Sequence, residues 1–233
     1  MKEGSWRQAR QDARTRDRLA GVLDEAVGPQ VIDISPLVNA KIASWPGDVP
    51  YKMAKASHID KDGIDIGSMH TSFHVGAHTD AHRHYAKDGP DAATMPLDSY
   101  FGPCEVVDVR ARRGKRFSMG DLNTTPTAPR VLFKTGTFPD PYSWNDDFAA
   151  PEPSLIDALA AKGVVLVGFD TPSTDLFASK GLEAHKRLFA NGMVNLEGLV
   201  LKDVKAGPYT LMALPLRLEG ADASPVRAVL VPD

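Results

Sequence analysis

From Val31 onward the chain runs in short stretches of β-branched and apolar residues, punctuated by proline and glycine. Val31-Ile32-Asp33-Ile34-Ser35 alternates like a half-buried strand, and Trp45-Pro46-Gly47-Asp48 reads as a turn. Further strands are expected at Glu105 to Val109, Val131 to Thr135, Val164 to Phe169, Leu199 to Leu201, Tyr209 to Leu214 and Val226 to Val231, most of them rich in β-branched residues. Helices are fewer. Ser154 and Asp157 have the spacing of a capping box, Leu155, Ile156 and Leu159 make an apolar face, and Gly163 sits where a left-handed cap would end the segment. A second helix is expected from about Lys180 to Ala190, closed by Asn191-Gly192. Before Val31, Leu19, Val22, Leu23 and Val27 supply an apolar stripe at helical spacing. The pattern therefore predicts one α/β domain over residues 31–233 with a helical N-terminal extension over residues 1–30.

Composition narrows the chemistry more than the fold. The net charge of −3, with 24% charged residues and no sustained Lys/Arg surplus in the body of the chain, argues against nucleic-acid binding and against a basic membrane-docking face. The polar N-terminus offers no apolar stretch of the length a signal peptide or membrane helix needs, so a cytoplasmic protein acting on a small molecule is expected. The single cysteine, Cys104, rules out an internal disulfide and fits a reducing compartment. It lies in an expected strand and reads as a small buried thiol, which leaves nitrogen and oxygen ligands for any metal site.

Four of the seven histidines fall between His74 and His84. In an extended segment, a period of two puts His74, His78, Asp80, His82 and His84 on one side of the backbone. A solvated strand edge or a pair of exposed helical histidines would be the bland alternatives, but Val75, Gly76 and Thr79 weaken the helix. Imidazole and carboxylate at this density point to zinc or a first-row neighbour. One extended segment rarely completes a coordination sphere, and the other histidines are His58, His70 and His185. His185 lies on the second expected helix and is followed by Glu197, read as the start of an apolar strand; an exposed helix residue and a strand-edge charge are the alternatives for this pair.

The segment His74-x-Gly-Ala-His78-x-Asp80-x-x-x-His84 resembles the signature of the metal-dependent cyclase-like hydrolases, a family that includes bacterial kynurenine formamidases and isatin hydrolases. Similarity extends through Asp33-Ile34-Ser35, Trp45-Pro46-Gly47-Asp48, Gly102-Pro103-Cys104, Gly168-Phe169-Asp170-Thr171-Pro172-Ser173, Glu183-Ala184-His185, Leu196-Glu197-Gly198 and Ala223 to Leu230, and is greatest toward the formamidases. The resemblance implies a swivelling β/β/α fold in a homodimer or higher homo-oligomer. It implies that His74, His78 and Asp80 bind one metal and that Asp80 bridges to a second held by His185 and Glu197, the ions being Zn(2+), two per subunit, with Mn(2+) as the alternative. It also implies that His84 is the catalytic acid/base and that Trp45 contacts the substrate ring. The expected activity is hydrolysis of an amide, N-formyl-L-kynurenine to L-kynurenine and formate in tryptophan breakdown. Alternatives are isatin-type ring opening and a non-catalytic metal-binding scaffold.

Two features depart from the family pattern. Ala81-His82-Arg83 replaces a small residue and proline, so His82 is a spare ligand, a substrate contact or an exposed bystander, and residues 1–30 have no counterpart in the short formamidases. Asp170, Thr171 and Ser173 read either as support for the ligands or as an ordinary turn after a strand.

Overall fold

The computed structural model describes residues 30–232, so the helix expected in the N-terminal extension lies outside the described residues. A seven-stranded sheet has the order β1 (Ile32–Asp33), β13 (Val229–Pro232), β11 (Gly207–Met212), β5 (Phe101–Asp108), β7 (Arg130–Lys134), β9 (Leu166–Phe169) and β10 (Val194–Leu196). From β5 to β10 neighbouring strands are parallel, and from β5 back through β11 and β13 to β1 they are antiparallel. The parallel strands β7, β9 and β10 are buried at nearly every position, because both faces of that half are covered.

Alternation along these strands builds two cores. Val131, Phe133, Val167 and Phe169 face the helices α2 (Pro153–Ala160) and α3 (Glu183–Ala190), meeting Leu155, Ile156, Leu159 and Leu188. Leu132, Leu166 and Leu196 face the other way, toward Ala77, Ala81, Tyr100 and Leu211. Over that second face lies a small antiparallel ladder of β4 (His78–Asp80) and β12 (Ala223–Pro225). Ladder, sheet and helices make the three layers of a β/β/α arrangement. A further short parallel pair joins β6 (Arg116–Phe117) to β8 (Ala150–Pro151).

An antiparallel hairpin, β2 (Lys52–Ser57) and β3 (Ile66–His70), carries a one-turn helix α1 (Ile59–Asp62) at its tip. Its residues are exposed, including Met53, Ile59, Ile64, Ile66 and Met69. His58 and His70 belong to it and stand outside the histidine cluster.

Several expectations shift in register. Helix α2 starts at Pro153, whose missing N–H costs nothing in a first turn, and Ser154 bonds the Glu152 carboxylate instead of capping. Helix α3 starts at Glu183, because Leu182 takes a left-handed conformation and the Asp175 carboxylate accepts the N–H groups of Ala184 and His185. The strand expected at Leu199 to Leu201 is instead β10, so Glu197 ends a strand where the sequence placed a beginning. The cause is Gly198, with φ +67°, which turns the chain and approaches the Gly76 carbonyl so closely that a Cβ would collide with it.

Candidate metal centre

The eleven-residue histidine stretch is not one continuous strand. Gly76 adopts φ +62°, only His78–Asp80 is extended, and His82–His84 form a 3-10 turn. The ladder nonetheless fixes the middle of the stretch on both sides. Asp80 pairs with Ala223 on one edge, and on the other His78 exchanges two backbone hydrogen bonds with Glu197 (3.1 and 2.9 Å). The backbone itself therefore brings together residues more than a hundred positions apart.

Around that contact the side chains of His74, His78, Asp80, His185 and Glu197 converge. Asp80 Oδ1 lies 3.0 Å from His74 Nδ1 and 3.6 Å from His78 Nε2, while Asp80 Oδ2 lies 3.2 Å from His185 Nε2. Glu197 reaches His78 Nε2 at 3.3 Å with Oε2 and His185 Nε2 at 3.3 Å with Oε1. Two groups of three share Asp80, namely His74-His78-Asp80 and Asp80-His185-Glu197. A third group, His74-His84-Asp222, adjoins them at the rim.

The remote ring nitrogens explain why the near ones point inward. His78 Nδ1 donates to the Gly76 carbonyl (3.0 Å), and His185 Nδ1 donates to Asp175 (2.8 Å). In neutral imidazoles this leaves both Nε2 lone pairs facing carboxylate oxygens. Lone pair against carboxylate is repulsive unless a proton or a cation lies between them. Charge follows the same logic. Burial works against a charged His74, yet Asp222 and Asp80 carry its pKa up to about 10. Burial likewise opposes charge on His185, but Asp175, Asp80 and Glu197 push it well above the ordinary imidazole range. Burial would raise the carboxylates, but the imidazoles hold Asp80 well below its usual range and Glu197 down at about 2.

The pocket fits a metal ion on its own evidence. His78 Nε2 and Asp80 Oδ1 are buried without a hydrogen-bond partner, and an orphaned buried polar group costs about 1–3 kcal/mol. Both atoms lie in the His74-His78-Asp80 group, whose nitrogen and oxygen donors suit zinc or manganese.

Supporting groups surround the cluster. Asn195, two residues before Glu197 and on the same side of the strand, gives its side-chain N–H to Asp80 (2.8 Å) and Glu197 (2.9 Å) and accepts the Asp80 N–H. Thr174 donates to Glu197 from backbone and hydroxyl, both at 2.6 Å. Asp175 holds His185 and is itself bonded by Arg116 (2.6 Å). Asp170, Thr171 and Ser173, which the sequence reads either as support for the ligands or as an ordinary turn, bond none of the five clustered side chains. Asp170 accepts from Thr135 and Gly136, Thr171 donates to the Ser173 carbonyl, and Ser173 accepts the Asp175 N–H. Asn195 was findable by alternation once the strand was placed correctly; Asp175 and Asp222 carry no local signal.

His82 fills none of the three roles considered for it. It is buried, bonded through Nε2 to the Met193 carbonyl (2.8 Å) and packed on Phe189, and it joins none of the three groups because the 3-10 turn breaks the alternation. His84 lies at the rim with Nδ1 3.3 Å from Asp222 Oδ2 and its ring 4.4 Å from that of His74. The cluster opens into a cavity of about 430 Å³. Trp45 lines it, 5.3 Å from Trp144 and 5.0 Å from Phe177 between ring centroids, and Phe138 adds another aromatic face. Lys202 is the one lysine or arginine among the described lining residues. Cys104 is remote from all this, buried in β5 with its thiol pushed up to about 12 by burial.

Known proteins share this framework. The Cyclase family matches residues 32–176. A kynurenine formamidase of Salinibacter ruber is 45% identical over 206 residues, covering 86% of this chain and 96% of that protein. A solved structure titled as a "predicted metal-dependent hydrolase from Bacillus stearothermophilus" is similar with a TM-score of 0.72 and 27% identity, covering 88% of this chain and 98% of that one. Isatin hydrolase A from Ralstonia solanacearum shares the fold, with a TM-score of 0.75 at 20% identity over 93% of this chain and 97% of that one.

Proposed function

The chain belongs to the Cyclase family, and on that premise we propose that it is a metal-dependent hydrolase that cleaves N-formyl-L-kynurenine to L-kynurenine and formate in tryptophan breakdown. The observation that carries this reading is the buried histidine–carboxylate cluster opening into a cavity walled by tryptophan and phenylalanine. In this reading His74, His78 and Asp80 hold one zinc ion, and Asp80, His185 and Glu197 hold a second, with Mn(2+) able to substitute. When bound, the cations supply Lewis acidity toward water and the formyl oxygen.

The residues of the chain do the rest. Trp45 and Trp144 grip the aryl ring and orient the formamide toward the cluster. Lys202 pairs with the α-carboxylate of the amino-acid tail. His84 takes a proton from the attacking water and delivers it to the aryl nitrogen, so the C–N bond breaks while a new C–O bond forms and formate leaves beside the free arylamine. General acid–base groups of this kind are worth about 10²–10⁴ in rate. A non-catalytic scaffold would leave His84 and the cavity without purpose.

Isatin lacks an amino-acid tail and gives Lys202 nothing to pair with, so the two enzyme readings part at that residue. The deciding experiment is formate release from N-formylkynurenine, run beside ring opening of isatin, with elemental analysis of the same preparation. Rapid formate release with bound zinc supports the reading; turnover of isatin alone would replace it. Lys202→Gln should raise KM for N-formylkynurenine about tenfold while leaving formanilide, which has no carboxylate, unaffected.

A homodimer is supported by the exposed apolar hairpin of β2 and β3, since a two-stranded hairpin alone is marginal in water. A cytoplasmic location is supported by the free buried Cys104. No helix among the described residues is long and apolar enough to cross a membrane.

A further inference from the structure

We propose that Asp222 is a positioning residue that, when the cluster holds a cation, sets the tautomer of two imidazoles at once, leaving His84 Nε2 free toward the cavity and His74 Nδ1 free toward the ion beside Asp80. The consequence for catalysis rests on the hydrolase reading above; the hydrogen-bond assignment does not.

The argument is geometric. Asp222 Oδ2 lies 3.1 Å from His74 Nε2 and 3.3 Å from His84 Nδ1. An ionised carboxylate only accepts, so the ring nitrogen facing it on each histidine must carry the proton. Once His74 has given up its second proton to coordinate, each ring is a neutral imidazole with one N–H, and the opposite nitrogen is a lone pair. For His74 that nitrogen is Nδ1, 3.0 Å from Asp80 Oδ1 and suited to a cation there. For His84 it is Nε2, turned away from Asp222 in a ring that lines the cavity. Without Asp222, a histidine at the rim would follow its intrinsic preference and present either nitrogen.

The carboxylate can do this because its backbone is held at the cluster. The Asp222 carbonyl accepts the Ala81 N–H at 2.9 Å, and the next residue, Ala223, is the ladder partner of Asp80. The Ala221 carbonyl accepts the Ala92 N–H at 3.0 Å. Asp222 thus projects from a point fixed relative to Asp80, although its side chain is half in solvent. One acceptor serving two rings also explains the close approach of His74 and His84.

The test combines a spectroscopic readout with a double-mutant cycle. In zinc-loaded protein with ring-15N histidine at about pH 8, His84 should show the Nδ1–H tautomer, and Asp222→Ala should shift it toward Nε2–H. At saturating metal, Asp222→Ala should lower kcat about 10²-fold with KM within about twofold, and Asp222→Asn, which keeps an acceptor oxygen and the side-chain volume, should recover part of that loss. In a His84→Ala background, adding Asp222→Ala should cost less than about threefold, because residues acting as a unit are not additive. A wild-type His84 protonated at Nε2, an unchanged kcat in Asp222→Ala, or an undiminished loss in the His84→Ala background would each overturn the proposal. The kinetics run on any aryl formamide that the wild type hydrolyses. Failure on N-formylkynurenine alone would therefore count against the substrate and leave the Asp222 assignment standing.

Discussion

The floor and the rim of the site are built from the same residue types yet obey different physics. On the floor, the side chains of His78, Asp80, His185 and Glu197 are 1–3% exposed, whereas at the rim those of His74, His84 and Asp222 are 17%, 34% and 45% exposed. Buried carboxylates beside imidazole lone pairs have no water to offset their charge, so the floor needs protons or cations to exist at all. At the rim, water screens part of the charge, and an imidazole there can exchange protons with the cavity. The contrast separates a dry floor, where charge must be balanced by direct partners, from a wetter rim, where His74 closes one ligand group and His84 faces the cavity.

That division can be broken or sharpened by experiment. The largest effect belongs to Asp80, which is shared by both ligand groups: Asp80→Asn should abolish metal binding and turnover together, as measured by elemental analysis and formate release. An active, metal-free Asp80→Asn protein would dissolve the distinction. At the rim, His84→Gln should cost about 10²–10⁴ in kcat while metal content stays at the wild-type level. Loss of metal in that variant would make His84 part of the floor.

A smaller change tests whether the floor is held from behind. Asp175→Ala removes the acceptor at His185 Nδ1, and such partners are worth about 10–100-fold in metal affinity, readable by competition with a chromophoric chelator. Because Asp175 also caps α3 and binds Arg116, Arg116→Gln, which removes that ion pair while leaving the Asp175–His185 hydrogen bond in place, serves as the control. The smallest effect is on protons. His74, raised to about 10 by Asp222 and Asp80, is charged at neutral pH in the metal-free protein and must lose its proton to coordinate. Zinc uptake should then release protons, and apparent affinity should rise about tenfold per pH unit per released proton up to roughly pH 10, then level off. Calorimetry in buffers of different ionisation enthalpy counts them; zero release at pH 7 would show that His74 is neutral before the metal arrives.

Much of the floor was legible in the chain, and the reason is local. His78 and Asp80 lie two apart on one strand, and period two alone puts them on the same side. The same rule misled one turn later, where the backbone tightens into a 3-10 turn and His82 swings into the core beneath Phe189. Glu197 was identified from resemblance but misread in context, because nothing in Leu199-Val200-Leu201 distinguishes a buried loop from a buried strand. Once β10 is placed at Val194–Leu196, Asn195 follows by alternation; Asp222 and Asp175 follow from nothing near them in the sequence.

The chain by itself determined the α/β alternation, the apolar runs of the parallel strands and the clustered donors, because each depends on residues a few positions apart. Only the tertiary structure decided which atoms of those donors face one another. That choice rests on the His78–Glu197 backbone pairing, on the close approach of Gly76 and Gly198, and on the Ala223–Asp80 register. These contacts span roughly 120 to 145 positions of chain, and the free energy of ladder formation and packing, not local preference, selects them.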